Sequence, residues 1–364
     1  MVVQKGLVGI EPFFAVGVLS AALTSIAISQ LYSAAAVALT VTVWLVSSLI
    51  HNQTSTTSKT SEILIVAIAL AAGIFCGLNG RIISYTAGSD RVQLTTFQAT
   101  GEAFQASIDA INFSERDINA LLKALLCGNR ADLPDRITEA FRISGASHIL
   151  ALSGLHLGII YMIVGETTSI IGNSPAAKFV RSAVNVTICT IYTLTTGASA
   201  SLTRALLFII LREAGITLGR PVSLKDLLRK CLLIHLVVTP SVILDIGFQL
   251  SYAAMAGIAW TYPTIRKLWS DESGGPMKKI WDSASLAISC QFTTAPLAFH
   301  YFGTFPTHFL LTNLLTLPLT GFLIPIAILT IALNAAGLCP AILTEICEKA
   351  ASCLIFIIET TSQM

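Results

Sequence analysis

Charge is what this sequence has least of. Lysine and arginine number 22 and aspartate and glutamate 20 in 364 residues, so 12% of the chain is charged while 54% is hydrophobic. A soluble domain carries about 25% charged residues, so roughly half the charge needed to cover a globule is missing. That excludes a soluble enzyme and a disordered chain and points to the membrane. With a net charge of only +2, the strongly basic footprint of a typical DNA-binding domain is missing too. There is no GxxxxGK[ST] phosphate loop, so nothing in the sequence points to ATP hydrolysis. The eight cysteines form no CxxC pair and mostly sit in apolar runs, which makes them small buried hydrophobes rather than a disulfide or zinc framework. His148, His156, His235, His300 and His308 include no HxxxH or HxxE pair, so no metal site is expected. Glu11 and Pro12 interrupt the start of the chain, so no signal peptide is expected there.

What the chain has instead is apolar runs long enough to cross a bilayer, about 20 residues each. No charge stands between Glu11 and Lys59, and Ser29 with Gln30 divides this stretch into spans near 12–29 and 31–50. A third runs from Ile63 to Gly80. From Arg81 to Ser147 charges return among apolar residues at helical spacing, with Phe104, Ile108, Ile111, Ile118, Leu121, Leu122 and Leu125 on one face. The spacing predicts an amphipathic helix broken near Ser114, with Glu115, Arg116 and Asp117 exposed. A shorter helix over 134–144 opens at Pro134 and stops at Gly145. Both are expected on the membrane surface or over a pore mouth.

Beyond Ser147, spans are expected at 149–171, 179–197, 200–215, 230–244, 246–263, 284–303, 308–319 with 321–338, and 341–358. Pro240, Pro318 and Gly321 interrupt several of them. Such breaks are tolerated at membrane depth only against protein or a water-filled cavity. The expected fold is therefore all-α: a polytopic integral membrane protein of about 9–11 transmembrane or broken helices. Residues 1–80 hold the N-terminal spans, 81–147 the amphipathic segment, 148–340 a channel-like core and 341–364 a C-terminal helix. Lysine and arginine gather in the loops 172–182, 212–230 and 264–282, with Lys5 and Lys59 on the same side of the alternating spans. The positive-inside rule makes that side and the N-terminus cytoplasmic, and 81–147 extracytoplasmic.

Polar residues inside these apolar runs are the functional candidates. In SGASHILALSGLHLG (144–158), Ser153 and His156 are three apart and share a helix face. A serine nucleophile with a histidine base would suggest an intramembrane hydrolase, but no oxyanion donor set or third orienting group accompanies them. The alternative has Gly154 and Gly158 permitting close helix approach while Ser153 and His156 bond a neighbouring helix or face a pore. Arg204 and Asp245 each interrupt an apolar stretch, where ionisable groups usually face the interior and pair. A mutual ion pair therefore stands beside a reading in which Asp245 sits in an extracellular turn and Arg204 snorkels. Gln249 and Ser251 share the polar line of Asp245. Glu166, near the end of its span, and Glu213, in the following loop, are expected to be solvated.

These same stretches resemble the competence domain of the ComEC family, the inner-membrane channel for DNA uptake in transformation. The likeness runs through GNRADLPDRITEAFRISGASHILALSGLHLG (128–158), Ser201-Leu202-Thr203-Arg204-Ala205, Gly219-Arg220-Pro221, Pro240 with DIGFQLSYAA (245–254), AISCQFTTAPLAFHYFGTFP (287–306) and LLTNLLTLPL (310–319). The order and spacing agree over roughly 117–320. The resemblance implies a multi-pass protein of the inner membrane that passes single-stranded DNA, uses no cofactor and performs no catalysis of its own. Ser153, His156, Ser201, Arg204, Asp245, Gln249, Ser251, Gln291 and Asn313 would line or support the conduit. Phe248, Tyr252, Phe299, Tyr301 and Phe302 would offer stacking faces to bases or simply pack.

Longer family members resemble a three-part machine with a periplasmic OB-like domain and a C-terminal metallo-β-lactamase-like domain held to degrade one strand. Only 81–101 stand where the first would be, and no HxHxDH motif occurs, so the likeness is to the channel part and nuclease activity does not carry over. The implied partners are single-stranded DNA, membrane lipid, a separate DNA receptor, a nuclease and an ATP-driven translocase, with an oligomer also open. A small-solute permease is the competing reading, although no clear internal repeat accompanies it.

Overall fold

A computed structural model describes residues 14–16, 18, 95–172, 174–220, 222–269, 275–303 and 308–363. The first three expected spans lie almost wholly outside the described residues. Among the described residues every regular element is helical. In chain order they are α1 (Thr95–Asp109), α2 (Arg116–Cys127), α3 (Asp135–Ile143), α4 (Ser147–Leu150), α5 (Gly154–Thr168), α6 (Pro175–Thr195) and α7 (Ala200–Thr217). There follow α8 (Leu224–Val238), a 3-10 turn Pro240–Leu244, α9 (Ile246–Ala256), a π-helical turn Gly257–Thr261 and α10 (Tyr262–Arg266). The last are α11 (Pro276–Phe302), α12 (Phe309–Ala335) and α13 (Ala341–Ser362).

Local chemistry sets several of these boundaries. The break expected near Ser114 separates α1 from α2, and α3 starts directly after Pro134 and stops before Gly145. The loop expected over 172–182 is far shorter. Ser174 Oγ accepts the Ala177 N–H at 3.1 Å and Pro175 occupies the first helical position, so α6 begins there and carries Lys178 and Arg181 in its first turns. The interrupted pair 308–319 and 321–338 is instead one helix, α12, of 27 residues that runs through Pro318 and Pro325. Each proline forfeits one backbone hydrogen bond, and packing against α13, α11 and α5 holds the helix through both. Conversely, the span expected at 149–171 is divided by extended backbone at 151–153.

Among the described residues two helical segments, Gly154–Ile171 and Phe309–Ala335, are long and apolar enough to cross a membrane. Helix α13 carries Glu345, Glu348 and Lys349 within its first nine residues, which lowers its apolarity.

The amphipathic helices do not form a separate surface layer. Ile118, Leu121, Leu122 and Leu125 of α2 and Ile137 and Phe141 of α3 are buried in one cluster with Leu323 and Ala327 of α12 and Ala351, Leu354 and Ile358 of α13. The predicted apolar face is correct, but protein covers it. Polar contacts add to this. Arg136 bonds both Asp117 of α2 and Glu359 of α13, so Asp117 is half-buried rather than exposed, and the Ser114 N–H donates to Glu348 Oε1 at 3.1 Å. Lys123 bridges Asp109 at 2.6 Å and Asp132 at 3.1 Å, and these carboxylates, Asp109 foremost, hold its ammonium pKa above the usual value. Burial pushes the nearby Cys127 thiol up to about 12. At Gly101 any Cβ would fall 2.5 Å from the Thr195 carbonyl oxygen, so only glycine lets α1 lie so close to the end of α6.

The chain divides into two compact units. One is Met1–Val92 with Leu224–Tyr252, the other Gln93–Ser223 with Ala253–Met364. In the first, Phe14 and Val18 pack with Leu236 and Phe248. The second holds α1 to α7, α10 to α13 and the end of α9.

Candidate functional site

The motif 144–158 folds into the cap of a helix. Ser153 has extended backbone and stands just before α5 as its cap, with its Oγ 3.2 Å from His156 Nδ1. The Ser153 Oγ accepts the Leu155 N–H at 3.2 Å, and the Ser153 N–H donates to His156 Nδ1 at 3.2 Å. This reciprocal arrangement satisfies backbone donors that a helix start leaves open. Because Nδ1 accepts, a neutral His156 carries its proton on Nε2. His156 is 1% exposed, and Nε2 has no partner among the described residues. Gly154 approaches α7, where a Cβ would meet Ala205 at 3.5 Å, whereas none of the described residues would meet a Cβ at Gly158 within 4 Å.

Arg204, beside Ala205, is buried at 5% exposure near the start of α7, whose own cap is Ser199 accepting the Leu202 N–H at 3.4 Å. Two helix starts, each with a partial positive charge, thus lie together with a buried guanidinium and a buried imidazole. Ser201 is half-buried beside them.

Other sequence candidates have different surroundings. Asp245 is exposed, belongs to the other unit than Arg204, and accepts the Phe248 N–H at 2.6 Å as a cap of α9. Gln249 donates to the Ile243 carbonyl at 2.9 Å, and Ser251 is half-buried. Phe248 is buried against Tyr252, which bonds His235 Nδ1 at 2.8 Å, so both pack within their unit rather than offering open faces. Phe299, Tyr301 and Phe302 are exposed at the end of α11, and Gln291 is half-buried earlier in it.

Helix α12 supplies a feature that the sequence reading touched only at Asn313. Thr312, Asn313, Thr316, Thr320 and Thr330 are all buried, while Leu311, Leu315, Phe322 and Leu329 are exposed. The four-residue spacing of the threonines is visible in the sequence and was the available signal. A second missed group is Glu213. It lies within α7, not in a loop, is 5% exposed, and accepts hydrogen bonds from Tyr161 of α5 and Ser182 of α6. No local signal marks it, because its burial depends on which helices flank α7. The described cysteines are all free, with Cys189, Cys231 and Cys347 buried.

Residues 125–364 match the Competence protein family. The ComE operon protein 3 of Bacillus subtilis (strain 168) is 23% identical over 208 residues, 57% of this chain and 25% of that protein. The chain thus aligns with about a quarter of the length of this curated relative. No solved structure matches. The family match covers most of the chain, including the α5 cap, the buried Arg204 and the polar face of α12, and the chain belongs to the Competence protein family, the ComEC kind that its motifs resemble.

Proposed function

We propose that this chain is a multi-pass membrane domain that conducts single-stranded DNA into the cell during natural transformation. The observation that carries this reading is the inversion over the first half of α12, where Thr312, Asn313, Thr316 and Thr320 are turned inward and Leu311, Leu315 and Phe322 outward, while Leu323, Ile324 and Ala327 of the second half join the apolar core. A helix in water does the opposite. An apolar exterior suits lipid, and a polar interior suits a substrate with a charge at every phosphate.

Three further features support it. Phe292, Phe299, Phe322 and Phe356 are each more than half exposed, which is costly in water and ordinary in lipid. The starts of α5 and α7, with Arg204 and the buried His156 Nε2, form a spot where a phosphate oxygen would be stabilised. Ser153 and His156 together close the cap of α5, so we assign the pair to helix geometry and assign no chemical step to the chain. Delivery of DNA, degradation of the other strand and the driving force fall to partner proteins.

Deletion of the gene in a transformable host should abolish entry of labelled DNA into the cytoplasm and leave DNA binding at the cell surface intact. Normal transformation in the deletion strain overturns the proposal.

A further inference from the structure

Glu213 presents a problem of charge. It sits at 5% exposure where α5, α6 and α7 meet, and among the described residues it forms no ion pair. Its neighbour Arg212 is exposed, with the guanidinium lying over the Tyr161 ring at 5.3 Å from its centroid. Two hydroxyls donate to the carboxylate, which leaves about half of its roughly four lone-pair positions open. One turn along α6 from Ser182, on the same face, stands Asn185. It is 5% exposed, and its Oδ1 is buried without a hydrogen-bond partner. A buried carboxylate and a buried unpartnered amide oxygen are each costly by themselves. They lie on two facing helices tied together by the Ser182 bond.

We propose that Glu213, Asn185, Ser182 and Tyr161 form a binding site for a small monovalent metal cation between α5, α6 and α7. A water molecule would satisfy Asn185 Oδ1 alone, whereas a cation takes the amide and carboxylate oxygens together. Carboxylate, amide and hydroxyl oxygens are hard ligands, which suits alkali cations rather than thiophilic metals. A single formal negative charge favours a monovalent ion over a divalent one. The oxygens come from three helices, so occupation ties the bundle together. The inference is independent of DNA passage.

The test is thermal unfolding of the full chain in lipid nanodiscs at fixed pH and ionic strength, with choline exchanged stepwise for lithium, sodium or potassium. At least one of the three should raise the unfolding midpoint saturably by a few degrees. Glu213→Gln, which keeps the side-chain shape, and Asn185→Leu should each remove that cation dependence, and Ser153→Ala should retain it. Asn185→Asp, which adds a charge, should lower the cation concentration giving half the shift by roughly tenfold. An unfolding midpoint indifferent to all three cations overturns the proposal, as does a shift that persists unchanged in the first two variants. If those two variants do not fold, failure of Asn185→Asp to lower the half-effective concentration overturns it.

Discussion

At the scale of single residues, the pair Ser153 and His156 separates a catalytic reading from a conformational one. Ser153 Oγ accepts the Leu155 N–H and stands 3.2 Å from His156 Nδ1, the nitrogen that also accepts the Ser153 N–H, so the contact a nucleophile and its base would share is the same one that closes the cap. Replacing a helix cap by alanine costs about 1 kcal/mol, and asparagine caps as well as serine. Ser153→Ala should therefore lower the unfolding midpoint modestly, and Ser153→Asn should restore both stability and transformation. Loss of transformation in a stably folded Ser153→Asn would reinstate a chemical role. Asp245 follows the same logic at α9, through its bond to the Phe248 N–H. The sequence lets Arg204 and Asp245 pair or act apart, and in a double-mutant cycle stability losses of Arg204→Ala and Asp245→Ala that add to within about 0.5 kcal/mol mean that they act apart. A larger interaction energy means that they pair.

Between whole elements, the main finding concerns α2, α3 and α13. Their polar anchors at Glu348 and Glu359 are eleven residues apart on α13, about 16 Å along its axis at 1.5 Å per residue. The amphipathic segment therefore lies along α13 rather than over its end. Leu121 and Leu125 are at most 1% exposed in that contact, so Leu121→Ala or Leu125→Ala should destabilise the protein by about 2–5 kcal/mol. Denaturant titration in detergent would measure this. A helix merely resting on lipid would show almost no loss there.

The π-helical turn after α9 makes a second tight joint. A Cβ on Gly257 would stand 2.3 Å from the Ser289 carbonyl oxygen of α11, so Gly257→Ala should force the two helices apart and cost about 1–3 kcal/mol. Unchanged stability in that variant would mean that the joint yields without cost.

For the molecule as a whole, sidedness is the property on which the proposed DNA passage depends. The turn 218–223 between α7 and α8 holds Arg220, and Lys225, Arg229 and Lys230 follow on the first turns of α8. In the proposed topology the positive-inside rule puts this end on the cytoplasmic side. On a cysteine-free background, Arg220→Cys should react with an impermeant maleimide only from the cytoplasmic side. His300→Cys, at the other end of the intervening helices, should react only from outside. Labelling of residue 220 from the outside of intact cells would reverse the topology and remove the proposed direction of DNA entry.

Composition and short-range pattern determined that this chain is helical, that it is poor in charge, and where α3 and α7 begin. A proline at a helix start, a capping serine or a scarcity of charge acts within a few residues of itself, so each is legible in order along the chain. The ordered motifs likewise marked the family without any knowledge of contacts. Which neighbour each face meets is a different matter, because a lipid tail and a protein interior are equally apolar and hydropathy alone cannot separate them. Periodicity thus found the apolar face of α2 but not α12 and α13 beneath it. It gave no sign that Glu213 would lie between Tyr161 and Ser182. Those assignments rest on helices brought together across up to 234 residues of chain, as at Ser114 and Glu348, and only the packed tertiary structure decides them.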